Sequence, residues 1–196
     1  YLAILACLFP LRRQQLGRVL LVSLVCTSLA FMLSQLRLSP ILRMARDWLP
    51  IIYLLEGYWL TGAFFRRPMR TTEKRLLAFD RWLFQLTKLD NLLSRGPRVV
   101  LEYFELTYLT AFFLVPLSFG LFWRLEPRAD VDQFWTAVLL AGFGCYGVLP
   151  WIQTRPPRSV EPVNLLDRRD LRLRRINAVV LDRGSVQVNT FPSGHA

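Results

Sequence analysis

Val19-Leu20-Leu21-Val22-Ser23-Leu24-Val25-Cys26-Thr27-Ser28-Leu29-Ala30-Phe31-Met32-Leu33-Ser34-Gln35-Leu36 contains no charged residue. A helix needs roughly 20 apolar residues to cross the hydrocarbon core of a bilayer. This run is continuous rather than alternating, so it reads as a spanning helix and not as a barrel strand. Three further runs follow at 48–65, 100–123 and 133–151. The second carries Glu56 and Gly57 and closes on Arg66, Arg67 and Arg70. The third carries Glu102 and Glu105 near its start and Pro116 inside. The fourth carries Gly142, Gly144 and Gly147, which would let helices approach closely. The expected fold is all-α, a polytopic membrane helical bundle counted as one domain over residues 1–196. Residues 1–10 are apolar but too short to span.

Composition agrees with that reading. The chain is 53% hydrophobic, and the apolar residues gather in long uncharged runs, as soluble domains avoid. The net charge of +11 would point to nucleic acid in a soluble protein. Here the basic residues lie between the apolar runs, which makes membrane lipids the expected partners and excludes nucleic acid. Cys7, Cys26 and Cys145 fall in apolar segments with neither metal-like nor disulfide-like spacing, and read as small buried hydrophobes. No cluster of metal-ligating residues stands out, and no cofactor or metal is expected. The chain opens at Tyr1 with no charged leader before its first apolar stretch, so a signal peptide is not supported. We read it as a fragment of a longer protein.

Residues 73–93 differ from the spans. Phe79, Trp82, Leu83, Leu86, Leu89 and Leu93 recur at helical spacing, and Glu73, Lys74, Asp80, Arg81, Lys88 and Asp90 fill the other face. So many charges prevent a crossing, and the segment reads as an amphipathic helix lying in the interface. Gly96 and Pro97 end it.

The chemistry is expected in the polar, arginine-rich segment 152–196, read as an active-site loop. The chain has one histidine, in Phe191-Pro192-Ser193-Gly194-His195-Ala196. Proline suits the first turn of a helix, where its missing N–H costs nothing. The following first-turn amides have no helical partner and can hold an anion such as phosphate. Ser193 adds a hydroxyl, and Gly194 lets the anion come close. His195 titrates near neutrality and can protonate a leaving oxygen. The bland alternative makes Ser193 a helix cap and His195 an interfacial residue. Arg155 and Arg158, in Trp151-Ile152-Gln153-Thr154-Arg155-Pro156-Pro157-Arg158, could clamp a phosphate by bidentate bonds or serve as interface anchors. The run Arg168, Arg169, Arg172, Arg174 and Arg175 reads as a solvated or headgroup-facing surface. Glu56, Glu102 and Glu105 stay outside the site. For Glu56 the structural alternative is a helix–helix hydrogen bond, and for the other two it is an interfacial depth.

Taken together, these features resemble the superfamily of type 2 phosphatidic acid phosphatases. It also holds inositol phosphorylceramide synthase-like transferases and the vanadium haloperoxidases. Gln187-Val188-Asn189-Thr190-Phe191-Pro192-Ser193-Gly194-His195-Ala196 looks like the family's second motif. The resemblance implies a phosphatidic acid phosphatase-like core, incomplete in this chain. It implies that Ser193 and Gly194 bind phosphate and that His195 is the general acid. The first motif is a lysine, six residues, then arginine-proline. Arg155-Pro156 matches its end, while Val148 stands at the lysine position. The Pro156-Pro157-Arg158 stretch looks more like the transferase branch, and the phosphate arginine is either Arg155 or Arg158. The third motif, with its nucleophilic histidine, is absent, and the resemblance places it after Ala196. The implied activity is therefore that of a membrane phosphatase or phosphotransferase. It acts on a lipid phosphate through a phosphohistidine and needs no metal. The alternative is a non-catalytic lipid-binding or structural membrane protein that keeps the fold, with a soluble haloperoxidase a distant third.

Two rules disagree on orientation. Alternating spans put 11–18, 66–99 and 152–196 on one side, with 20 of the 25 Lys and Arg residues. The positive-inside rule would make that side cytoplasmic. The resemblance implies an active site on the non-cytoplasmic face of an integral protein of the cell (inner) membrane, and that orientation is taken here.

Overall fold

The computed structural model describes residues 2–9, 11–35, 39–125, 130–160, 170–186 and 188, of which 2, 3, 90 and 158 are described by backbone alone. The described residues are helical, with no strand among them. In chain order the helices are α1 (Leu2–Leu8), α2 (Arg13–Gln35), α3 (Pro40–Trp48), α4 (Pro50–Thr61), α5 (Arg70–Thr87), α6 (Leu89–Arg95), α7 (Arg98–Ala111), α8 (Leu114–Leu125), α9 (Val131–Val148), α10 (Pro157–Val160) and α11 (Arg172–Gly184).

The uncharged run 19–36 lies in α2. Among the described residues, α2 is the one single helix long and apolar enough to cross a membrane. Its flank is bare: Leu21, Leu24, Phe31 and Met32 are all more than half exposed.

The other expected spans are more broken than their composition suggests. The run 48–65 gives α4, which starts at Pro50 and passes at Thr61 into a 3-10 turn over Gly62–Phe64. The run 100–123 is two helices, α7 and α8, bent by 64°. Pro116 sits one turn beyond the break. It has no N–H to give the carbonyl of Phe112, and its ring crowds that carbonyl. Phe112 and Phe113 accordingly donate to carbonyls three residues back, at Leu109 (3.3 Å) and Thr110 (3.0 Å). The pair counts as a second candidate span if both halves are taken together. The amphipathic stretch 73–93 is also two helices, because Lys88 adopts a left-handed conformation (φ 54°) that stops α5.

The core joins helices distant in sequence. Phe119 on α8 is fully buried between Trp48 and Trp135, with ring centroids 4.9 and 4.6 Å away. Trp135 Nε1 donates to the Asp47 carbonyl at 2.7 Å, which ties α9 to the end of α3. Helices α4 and α9 pack along their length. A Cβ at Gly57 would stand 2.6 Å from Phe143 Cε1, and one at Gly142 would stand 2.5 Å from Leu54 Cδ1. These two glycines make the close approach. Gly144, expected to share that role, faces open space.

Segment 152–196, expected as a loop, contains a helix of 13 residues. Helix α11 packs on α7. The reason lies in Glu102 and Glu105. Of the arginine run, Arg172 and Arg175 are exposed as expected, Arg174 turns toward Glu105, and Arg168 and Arg169 lie outside the described residues.

Candidate active site

Four interlocks hold the polar segment that follows α9 against the ends of α4, α5 and α7. The first centres on Gln153. Its Oε1 accepts from the Arg66 and Arg67 amides at 2.9 and 3.2 Å, and its Nε2 donates to the Phe64 and Pro150 carbonyls at 3.3 and 3.0 Å. Its own carbonyl accepts from the Met69 amide at 2.8 Å. One side chain thus fixes the turn leaving α4 to the chain leaving α9.

The second interlock is Arg155 with Glu73. The Arg155 amide and Nε donate to Glu73 Oε1 at 2.9 and 3.1 Å, and Nη2 donates to Oε2 at 3.0 Å. Glu73 is almost sealed from solvent, while the Arg155 side chain stays 37% exposed. The Arg155 side-chain hydrogen bonds hold the Glu73 carboxyl below the usual carboxylate range, and Glu73 in turn raises the arginine. Glu73 therefore fixes the guanidinium plane. Among the described residues, Arg155 Nη1 makes no hydrogen bond.

The third interlock docks α11 on α7. Glu102 accepts from the Arg172 and Leu173 amides at 2.8 and 3.0 Å, so its carboxylate caps the first turn of α11. Asn177 is fully buried. Its Nδ2 donates to the Glu105 carbonyl at 2.8 Å and to Glu105 Oε2 at 2.7 Å. Arg174 reaches Glu105 Oε1 at 3.5 Å. The two glutamates, expected merely to sit at interfacial depth, are the anchors of the helix that precedes the candidate motif. Glu56, inside α4, is half-buried, and its side chain makes no hydrogen bond among the described residues.

The fourth interlock pins the far end of α11. Trp59 Nε1 donates to the Gly184 carbonyl at 2.9 Å, and the Val186 amide donates to Tyr58 Oη at 3.0 Å. Gly62 makes room: a Cβ there would stand 3.0 Å from Val186 Cγ1. The chain approaching Ser193 is thereby held at the C-terminal end of α4.

Of the residues expected in the site, Arg155 is placed beside Glu73. Arg158 lies in the helical turn Pro157–Val160, and only its backbone is described. Ser193, Gly194 and His195 lie outside the described residues. Sequence reasoning missed Glu73, Gln153 and Asn177 as positioning groups. For Glu73 a signal exists: Glu73, Leu76, Leu77 and Asp80 share one helical face, so an acid heads a stripe that must pack on something. Gln153 and Asn177 carry no such mark.

No protein-family model, curated protein or solved structure matches this chain.

Proposed function

We propose that the protein containing this chain is a membrane phosphatase or phosphotransferase acting on a lipid phosphate. Ser193 and Gly194 hold the phosphoryl group, and His195 protonates the departing alkoxide. Arg155 or Arg158 neutralises phosphate charge. The nucleophilic histidine comes from outside these 196 residues, since the chain has one histidine and the acid role uses it. Attack on phosphorus releases the lipid alcohol and leaves a phosphohistidine, which water or an acceptor alcohol resolves. The enzyme is read as a polytopic helical bundle of the cell membrane, with the site on the non-cytoplasmic face.

The observation that carries the proposal is the stretch Pro192-Ser193-Gly194-His195. Two structural facts support its setting. Helix α2 is long and apolar enough to cross a membrane and leaves most of its side chains uncovered. The chain leading to Ser193 is docked on both α7 and α4 through buried polar contacts, which suits a site built to hold geometry.

The test uses the full-length protein and vesicles of phosphatidic acid, with a polyprenyl pyrophosphate in parallel, and measures released phosphate. His195→Ala should lower turnover by about 10²- to 10⁴-fold, the range for loss of a general acid, with membrane insertion unchanged. Unchanged turnover would refute the proposal.

A second reading is a non-catalytic lipid-binding protein that retains the fold. The Arg155–Glu73 pair favours it, because two of the guanidinium nitrogens are already committed. It requires that the complete protein contain no further histidine near the site and release no phosphate while still retaining lipid.

A further inference from the structure

Helix α5 faces two surroundings. Its inner side turns Glu73, Leu77 and Asp80 toward the chain that follows α9, where Glu73 holds Arg155. Its outer side is a stripe of Phe79, Trp82, Leu83 and Leu86, at the i, i+3, i+4 and i+7 spacing of one helical face. Phe79, Trp82 and Leu86 are 56%, 55% and 64% exposed, and the Phe79 and Trp82 rings make one patch with centroids 5.6 Å apart. Lys74, Arg81 and Gln85 occupy the remaining side and are exposed. Leu89 and Leu93, expected on the same stripe, do not extend it: the left-handed Lys88 stops α5, and both leucines are half-buried.

The place of α5 says what meets that stripe. Leu11, Arg12 and Gln15, at the head of α2, line one cavity with Ala63, Phe65 and Arg66. The Arg66 and Arg67 amides donate to the Gln153 side chain, and the Met69 amide donates to the carbonyl of the same residue. The start of α5 is therefore tied to the end of α2 where Arg12, Arg13 and Arg18 precede the uncharged run, and where a bilayer would end. A protein partner fits this stripe less well, because four side chains fall far short of the roughly 20–30 residues a side of a stable interface. Aromatic side chains flanked by basic ones suit the boundary between headgroups and acyl chains. Arg75, one turn before Phe79, is long enough to reach back to water. We propose that α5 lies along the bilayer surface with this stripe seated in that boundary, and that through Glu73 it fixes the depth of Arg155. The inference rests on the membrane setting of the proposed function and on nothing about phosphate chemistry.

The test is power-saturation electron spin resonance on the full-length protein, its own cysteines replaced by serine, in bilayer discs of phosphatidylcholine alone. Single nitroxides stand in turn at Phe79, Trp82 and Leu86, and at Lys74, Arg81 and Gln85. Oxygen gathers in hydrocarbon and a nickel chelate stays in water, so the ratio of their effects reads depth. The first set should favour oxygen and the second the chelate. Chelate access at the stripe equal to that at Arg81 and Gln85 would overturn the proposal. So would shielding of the stripe from both agents, the mark of a second copy or another protein segment lying over it. A stripe that enters the bilayer only after phosphatidylglycerol is added would overturn it too, because basic side chains and not apolar ones would then hold the helix. A nitroxide at the exposed Ser159 reads the depth of the segment that carries Arg155. Replacing Phe79, Trp82 and Leu86 together by serine should shift that label toward the chelate, while a label at Leu24 on α2 stays in hydrocarbon as a sign of intact insertion. A Ser159 label that does not move would overturn the coupling to Arg155. None of these readings involves turnover, so they stand apart from the fate of His195→Ala.

Discussion

Asn177 offers the sharpest test of how the approach to Ser193 is held. Asn177→Ala removes a neutral bond to the Glu105 carbonyl, worth about 1 kcal/mol, and a charge-assisted bond to Glu105 Oε2, worth about 1.5–3 kcal/mol. It also removes Oδ1, which is buried without a partner, and that relieves about 1–3 kcal/mol. The net loss is about 1–2 kcal/mol, or ~2–8 °C in melting temperature for a chain of this length. Asn177→Asp has the same shape but sets a second carboxylate against Glu105. The cation in reach is Arg174 at 3.5 Å, too little for two buried acids. At neutral pH it should therefore be markedly less stable than Asn177→Ala. Exchanging the pair, Asn177→Asp with Glu105→Gln, restores one amide facing one carboxylate and should recover most of the loss. The assay is thermal unfolding in detergent followed by tryptophan fluorescence, together with phosphate release by the full-length protein. Turnover should fall with stability in the single variants and return in the exchange. An Asn177→Asp protein as stable as wild type, or an exchange no better than its worse parent, would refute this account of the α7–α11 contact.

Glycine positions on the α4–α9 seam should respond with opposite signs. Gly57→Ala and Gly142→Ala force Phe143 and Leu54 aside and should cost about 1–3 kcal/mol, whereas Gly144→Ala meets nothing and should gain about 0.5–1 kcal/mol; melting temperatures of the three variants decide. The Glu73–Arg155 pair gives a pH dependence. Because the folded carboxyl lies below its ordinary value of 4.5, its stabilisation is fully present above that pH and is lost as pH falls through the folded value. Glu73→Gln should therefore melt earlier than wild type at pH 7, with the gap closing only below pH 4.5; a gap that is constant down to pH 3 would contradict the pairing.

Local features were legible and distant partners were not. The α2 run could be read because an uncharged stretch of that length needs no partner to declare itself. The break between α7 and α8 was also written locally, but it acts one turn upstream of Pro116, at the carbonyl of Phe112, so a proline inside an apolar run reads as tolerated until that carbonyl is considered. Arg155 stands out in the sequence by its place after an apolar helix, and the structure pairs it with Glu73. Its partner Glu73 lies 82 residues earlier, and nothing in local spacing joins them. The same holds for Glu105 and Asn177, 72 residues apart. Carboxylates near an apolar run are costly, and for Glu102 and Glu105 that cost is met by α11, a helix with no strong apolar periodicity to announce it. Ser193, Gly194 and His195 rest on the sequence pattern.

The interlocks also bear on orientation. Residues 11–15 and 63–66 line one cavity, 64–73 are bonded to 153–155, and 102–105 are bonded to 172–177. The three basic stretches that alternate crossings would put on one side are thus linked at one end of the helices. A 23-residue helix is roughly 34 Å long, enough for a hydrocarbon core of about 30 Å, and just 6% of the apolar window of α2 is buried. The core helix of a soluble protein would hide that window instead. At the basic end, Glu73, Glu102 and Glu105 are each consumed by arginines or amides. Those three carboxylates are spent on structure, while the side chains of Arg172 and Arg175 stay exposed. A surface of that sign attracts the anionic headgroups of a bilayer, so the end where the interlocks gather is also the end that the positive-inside rule reads.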